Sequence, residues 1–94
     1  MSASDLAKQF AAAVDKVRNA PEDGAFKPGN DYKLRMYALY RQATDGDVSG
    51  KKPGMFDVIG RFKYQAWESL KGMSCEAAMR EYVAEVAKVE KQYG

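Results

Sequence analysis

Residues 37–47 read Tyr-Ala-Leu-Tyr-Arg-Gln-Ala-Thr-Asp-Gly-Asp. Within that string Tyr37, Tyr40, Arg41 and Thr44 recur at i, i+3, i+4 and i+7, so on a helix they share one face. Two phenols, a guanidinium and a hydroxyl stand where a packing helix would carry aliphatic side chains. Lys63, Tyr64, Trp67 and Lys71 repeat the mixture of rings and cations at helical spacing. Each group has a partner in a nucleotide that bears phosphates and a hydrocarbon tail. A ring stacked on a purine contributes roughly 1–3 kcal/mol. Arg41 and Lys63 can each take phosphate oxygens through charge-assisted hydrogen bonds worth about 1.5–3 kcal/mol. An apolar groove gains about 0.8 kcal/mol per buried methylene, offset in part by ordering the chain. Head and tail together would bind tightly, and either alone weakly.

The same pattern suits plain packing. Aromatics at helical spacing usually form core, and an arginine among them usually extends its charged end to water. On pattern alone, packing is the commoner outcome. Trp67 reads as core, and Tyr82 and Tyr93 as packing residues with their hydroxyls at the surface. Cys75 lacks a partner base, so it reads as inert. Asp45 with Asp47 makes an incomplete cation shell and reads as a solvated turn. Lys51 and Lys52 read as an exposed loop.

These side chains need helices to hold them, and proline and glycine mark where helices end. Pro21, Gly24, Pro28 and Gly29 form one breaker cluster; Gly46, Gly50, Pro53 and Gly54 form a second; Gly72 is a third. The first helix is expected over about 5–20, with Ser4 as N-cap and Leu6, Phe10, Ala13, Val14 and Val17 as its apolar stripe. A second is expected from Asn30 or Asp31 to Thr44, with Leu34, Tyr37, Ala38 and Leu39 apolar and Gly46 as the stop. A third is expected over about 57–71. Val58, Ile59, Phe62, Ala66, Trp67 and Leu70 are its buried set, and Gly60 permits a close contact. A fourth is expected over about 75–93, capped by Ser74, with Ala78, Met79, Tyr82, Val83, Val86, Val89 and Tyr93 as its stripe. No segment alternates with a period of two, so the fold class is all-α. The link between the second and third helices is longer than a tight turn, as between helices that are not antiparallel neighbours, or in a binding site.

The chain has 94 residues, the size of one domain spanning 1–94. Fifteen basic and thirteen acidic residues leave a net charge of only +2. That balance argues against generic nucleic-acid binding. Histidine is absent, which removes the usual general base, metal ligand and proton switch. No nucleophile–base pair is visible, so an enzyme is not expected, nor is a metal or cofactor. The single cysteine points to a reducing compartment. With no apolar run of about 20 residues and no signal-like start, the expectation is a cytoplasmic monomer. The alternative from pattern alone is a helical module for protein or RNA binding.

The string Tyr37–Asp47 resembles the signature of the acyl-CoA-binding protein family, Tyr-x-x-Tyr-Lys-Gln-Ala-Thr-x-Gly-Asp, with Arg41 as the one departure. The resemblance continues through Pro53-Gly54-Met55, Gly60, Lys63, Ala66-Trp67, Leu70-Lys71-Gly72, Ala78-Met79, Tyr82 and Tyr93-Gly94, and so covers the chain from Leu6 onward. It implies an up-down-down-up four-helix bundle that binds medium- and long-chain acyl-CoA esters and passes them between enzymes, making acyl-CoA-using enzymes candidate partners. It implies that Tyr40 packs on the adenine, and that Tyr37, Arg41 and Lys63 hold the 3′-phosphate and its neighbours. Tyr82 would close the nucleotide site. Arg18 stands where the family often has a basic residue near the head group. Phe10, Ala13 and Val14 would face the ligand from the first helix, and Leu34 would border the acyl groove. Besides Arg41, two departures stand out. Tyr64 replaces a usual tryptophan beside the groove, and the 18–28 segment is about four residues longer than the family norm. Both bear on chain-length preference.

Overall fold

The computed structural model describes residues 3–19 and 30–93, with side chains over 5–19 and 31–91. Four helices appear: α1 Ala3–Asn19, α2 Asn30–Asp45, α3 Val58–Glu68 and α4 Cys75–Tyr93. Among the described residues there is no β-strand. The first breaker cluster and the lengthened 18–28 segment fall largely outside the described residues.

Cross-helix side-chain pairs give the topology. Phe10 packs on Tyr82 and Lys16 pairs with Glu90, so α1 and α4 run the same way. Arg35 pairs with Glu81 and Glu85, and Gln42 reaches Met73 just before α4 starts, so α2 and α4 run oppositely. Tyr37 faces Lys63 and Arg41 faces Trp67, so α3 lies across α2 in broadly the same sense. The bundle is therefore up-down-down-up, with α2 and α4 central. The link over 46–57 is long because it must carry the chain back along α2 before α3 can start.

Buried Phe10, Ala13, Val14, Met36, Leu39, Ala43, Ala78, Tyr82 and Val86 form the core, and Leu39 is fully enclosed. The stripes expected for α1 and, as far as Val86, for α4 are the ones that pack; the side chain of Tyr93 lies outside the described residues. On α2, Met36, Gln42 and Ala43 are buried as well. A single periodic reading of α2 favours one face, whereas α2 has α4 on one side and α3 on another.

The helix ends need two corrections. Ser4 is not the N-cap of α1, which already includes Ala3. The helix α3 ends at Glu68, not near residue 71; a turn from Ser69 to Met73 follows, with Gly72 at φ 95°. Its start is capped by Asp57, whose Oδ1 accepts from the Gly60 N–H at 3.0 Å. A Cβ on residue 60 would fall on that carboxylate, so the close contact Gly60 allows is with its own helix cap. Ser74 caps α4 as expected, its Oγ accepting from the Ala77 N–H at 3.0 Å.

The largest correction concerns α3. Val58, Ile59 and Phe62 were expected inside, yet they are 55%, 70% and 53% exposed, and Phe56 just before them is 98% exposed. Among the described residues, helix α3 packs only on α2, through Ala66, Trp67 and Leu70 near its C-terminal end, and no described helix covers its first turns. Leu39→Ala should therefore cost about 2–5 kcal/mol of stability, while Ile59→Ser should stay within about 0.5 kcal/mol of the parent. Urea unfolding of both variants checks this, and a large loss for Ile59→Ser would mean that α3 is covered.

Candidate functional site

At 100° per residue, α2 presents three strips side by side. Met36 and Tyr40 face the α1–α4 side. Tyr37 and Arg41 come next. Leu34 and Ala38 follow, facing α3. Each strip borders a different feature.

The first borders an open cleft of about 170 Å³ lined by Val14, Arg18, Met36, Tyr37, Tyr40 and Tyr82. Rings build its floor. Phe10 stacks on Tyr40 with centroids 6.1 Å apart and meets Tyr82 edge-on at 5.1 Å and 74°. Arg18 leans over the Tyr40 ring at 5.8 Å, and its Nη2 donates to the Tyr40 hydroxyl at 3.4 Å. The Tyr82 hydroxyl has its pKa raised, chiefly by burial, with Arg18 opposing and Tyr40 adding to the rise. It is thus a neutral hydrogen-bonding group at ordinary pH.

The second strip is cationic. The Arg41 guanidinium lies 4.7 Å over the Trp67 ring and 6.0 Å from the Tyr37 ring. From the other helix, Lys63 Nζ stands 5.3 Å from that same Tyr37 ring. Two positive groups from two helices thus flank one phenol. Among the described residues neither Arg18 nor Lys63 makes an ion pair, whereas Arg41 pairs with Asp45 at 2.8 Å. Cations without carboxylate partners beside an aromatic surface suit a phosphorylated ligand.

The third strip borders a shallow groove of about 230 Å³ between α2 and α3. Leu34, Ala38, Ala66 and Leu70 supply its apolar wall, and Asp31, Arg35 and Ser69 its polar edge.

The structure therefore brings Tyr37, Tyr40, Arg41, Lys63, Tyr82, Val14 and Arg18 around one surface. Leu34 lies in the neighbouring groove. Phe10 and Ala13 sit behind the cleft in the core, where they support its rings and do not line it. Thr44 turns away, donating to its own helix at Tyr40 O. Sequence reading missed Met36 in the cleft wall; its place one turn before Tyr40 was the available signal. Trp67 is core as expected, with Nε1 donating to Gly46 O at 2.8 Å. Tyr64, beside the groove by resemblance, donates to Gly50 O at 3.3 Å and so braces the 46–57 link.

Asp45 and Asp47 are both exposed, as expected, but each has a partner. The Asp47 carboxylate accepts from the Gln42 side chain and from the Gly72 N–H, both at 2.9 Å. These bonds, the Gly72 one first, hold its pKa below the usual carboxylate range, and Lys71 adds to the effect against a small desolvation cost. The second half of the Tyr37–Asp47 string is thus scaffold: Gln42, Gly46 and Asp47 anchor the link and the turn. Among the described residues, no group of three or more Cys, Asp or Glu side chains is placed to hold a metal ion.

Comparison with known proteins places this geometry. The profile of the family described as "Acyl CoA binding protein" matches residues 7–86. The human "Acyl-CoA-binding domain-containing protein 4" is 45% identical over 82 residues, which is 87% of this chain and 31% of that protein. The chain thus spans less than a third of that relative's length. The crystal structure of ACBP from Moniliophthora perniciosa superposes with a TM-score of 0.90 at 38% identity, covering 99% of this chain and 84% of that one. Acyl-CoA-Binding Protein 2 of Oryza sativa gives 0.83 at 33% identity, covering 93% and 92%.

The Asp47 anchor yields a pH prediction. A carboxylate whose folded pKa is lowered adds stability above its unfolded value near 3.9, and that stability is lost as pH falls through the lowered value. The urea midpoint of Asp47→Asn should lie below the parent's by a constant amount between about pH 5 and 7. The difference should begin to narrow below about pH 4 and close as pH falls through the lowered value, and a gap unchanged across that acid range would show that the charge of Asp47 is not what matters.

Proposed function

The chain belongs to the acyl-CoA-binding protein family, and we propose that it carries medium- and long-chain acyl-CoA esters without chemically altering them. The observation that supports this most is the convergence of Arg41 and Lys63, from different helices, on the Tyr37 ring. In this reading the adenine packs on Tyr40 within the ring-lined cleft, closed by Tyr82 and steered by Arg18. The 3′-phosphate and its neighbours lie on the Tyr37–Arg41–Lys63 strip. The acyl chain follows the Leu34–Ala38 groove toward Ala66 and Leu70. The three strips of α2 lie in the order in which such a ligand presents base, phosphates and tail.

Binding without catalysis fits the side chains available. There is no histidine to serve as base, and the free thiol of Cys75 is exposed at the start of α4, away from the cleft lining. No helix described is long and apolar enough to cross a membrane. The proposed setting is the cytoplasm, with the protein acting as a monomer that delivers its ligand to acyl-CoA-using enzymes and requires no cofactor.

Calorimetric titration with palmitoyl-CoA, CoA and palmitate tests the reading. The ester should bind far more tightly than either part, and equal affinities for all three would end the proposal. Arg41→Ala should weaken ester binding by at least about 1.5 kcal/mol, the scale of a charge-assisted hydrogen bond, or roughly tenfold. An unchanged constant would remove Arg41 from the phosphate site.

A second outcome concerns pH. The phosphomonoester of the ligand has its second pKa near 6, and no histidine titrates on the protein side. Affinity for palmitoyl-CoA should fall modestly below about pH 6, while palmitoyl-dephospho-CoA should give a flat profile. Parallel falls would place the titrating group elsewhere.

A further inference from the structure

Asp45 is the last residue of α2, where a carboxylate meets the negative end of the helix dipole and is disfavoured. The last turn of α2 contains no basic residue to offset it. Asp45 caps no backbone group. Among the described residues its one partner is Arg41, whose Nη1 lies 2.8 Å from Asp45 Oδ2. Two residues further on, Asp47 is tied into the scaffold through Gln42 and Gly72. The two carboxylates therefore do different work: one holds the backbone, the other holds a single cation of the proposed phosphate strip.

That cation is otherwise poised for an anion. Its guanidinium lies 4.7 Å over the Trp67 ring and 6.0 Å from the Tyr37 ring, and its Nε is buried without a hydrogen-bond partner. A phosphate oxygen approaching Arg41 meets a donor already engaged by a carboxylate and must displace or share it. The repulsion between Asp45 and the incoming group grows with that group's charge. A dianionic phosphomonoester pays more of it than a singly charged phosphodiester.

We propose that Asp45 is an affinity- and specificity-setting residue of this site: an internal anion that occupies Arg41 in the free protein and competes with the ligand's phosphomonoester for it. The proposal rests on the carrier reading. It implies that the site is built to bind acyl-CoA less tightly than its cations alone would allow, which favours release to the next enzyme.

The test is calorimetry of the parent, Asp45→Asn and Glu76→Gln with palmitoyl-CoA and palmitoyl-dephospho-CoA at low and moderate salt. Glu76 pairs with Arg80 on the surface of α4, so its variant makes the same change in net charge outside the site. Asp45→Asn should bind palmitoyl-CoA about two- to fivefold more tightly, the range of an exposed ion pair. The gain should shrink with the dephospho ligand and with added salt, and Glu76→Gln should match the parent. Circular dichroism melting should show Asp45→Asn at least as stable as the parent, because the helix loses an unfavourable end charge. Unchanged or weaker binding by Asp45→Asn would overturn the proposal and make Asp45 a positioning residue for Arg41. Equal tightening by Glu76→Gln, or an equal gain with both ligands, would overturn it too. Failure of the parent itself to bind palmitoyl-CoA would instead defeat the carrier reading beneath it.

Discussion

The buried side-chain amide of Gln42 is the joint on which this bundle depends. It has no exposed surface, and its Nε2 donates both to Met73 O at 2.8 Å and to Asp47 Oδ1 at 2.9 Å. Burying an amide without partners costs about 1–3 kcal/mol, so the fold is constrained to bring those acceptors to it. The first acceptor sits in the turn before α4 and the second in the link after α2. Gly72, at positive φ, donates to the same carboxylate, and Gly46, also at positive φ, offers its carbonyl to Trp67. One polar cluster thereby sets where three chain segments meet at the C-terminal end of α2. Because Arg41 adjoins Gln42 in the chain, fixing one side of the helix inward fixes the other outward, toward Trp67 and Lys63.

Ionic contacts add little to this frame. Lys16–Glu90 and the Arg35 pairs to Glu81 and Glu85 join α4 to its neighbours at the surface. Exposed pairs of this kind contribute about 0–1 kcal/mol each. Packing of Phe10, Leu39, Tyr82 and their neighbours holds the helices together, and the ion pairs help to select their register. Charge matters more for what it leaves open. Among the described residues Arg18 and Lys63 have no carboxylate partner while Arg41 has one, so cations line the cleft margin although the chain as a whole is nearly neutral.

Much of the architecture was legible from residue types. Periodicity located the helices, glycines located their ends, and the i, i+3, i+4 spacing of Tyr37, Tyr40 and Arg41 put them on one face. The failures share a cause. Val58, Ile59 and Phe62 form an apolar face that looks buried by pattern, yet no described helix lies against it. Phe10 and Ala13 lie in the core behind the cleft, where α1 packs on α4. Asp45 and Asp47 look alike in the string but differ wholly in role, since one reaches a guanidinium and the other a backbone N–H from a distant turn. Each of these outcomes depends on what lies opposite a side chain, and spacing along one helix carries no information about that.

What the sequence by itself determined is the local half of the problem: four helices, the cap at Ser74, the stop at Gly46, and a face of rings and cations on α2. Those follow from backbone propensity, capping and helical period, which act within a few residues. Only the tertiary structure decided that Lys63 and Arg41 both stand over the Tyr37 ring, that Arg18 leans over Tyr40, and that Gln42 is the buried joint. These contacts join residues far apart in the chain, and they exist because packing an apolar core and pairing the N–H donors of one buried amide leave the helices few other ways to cross.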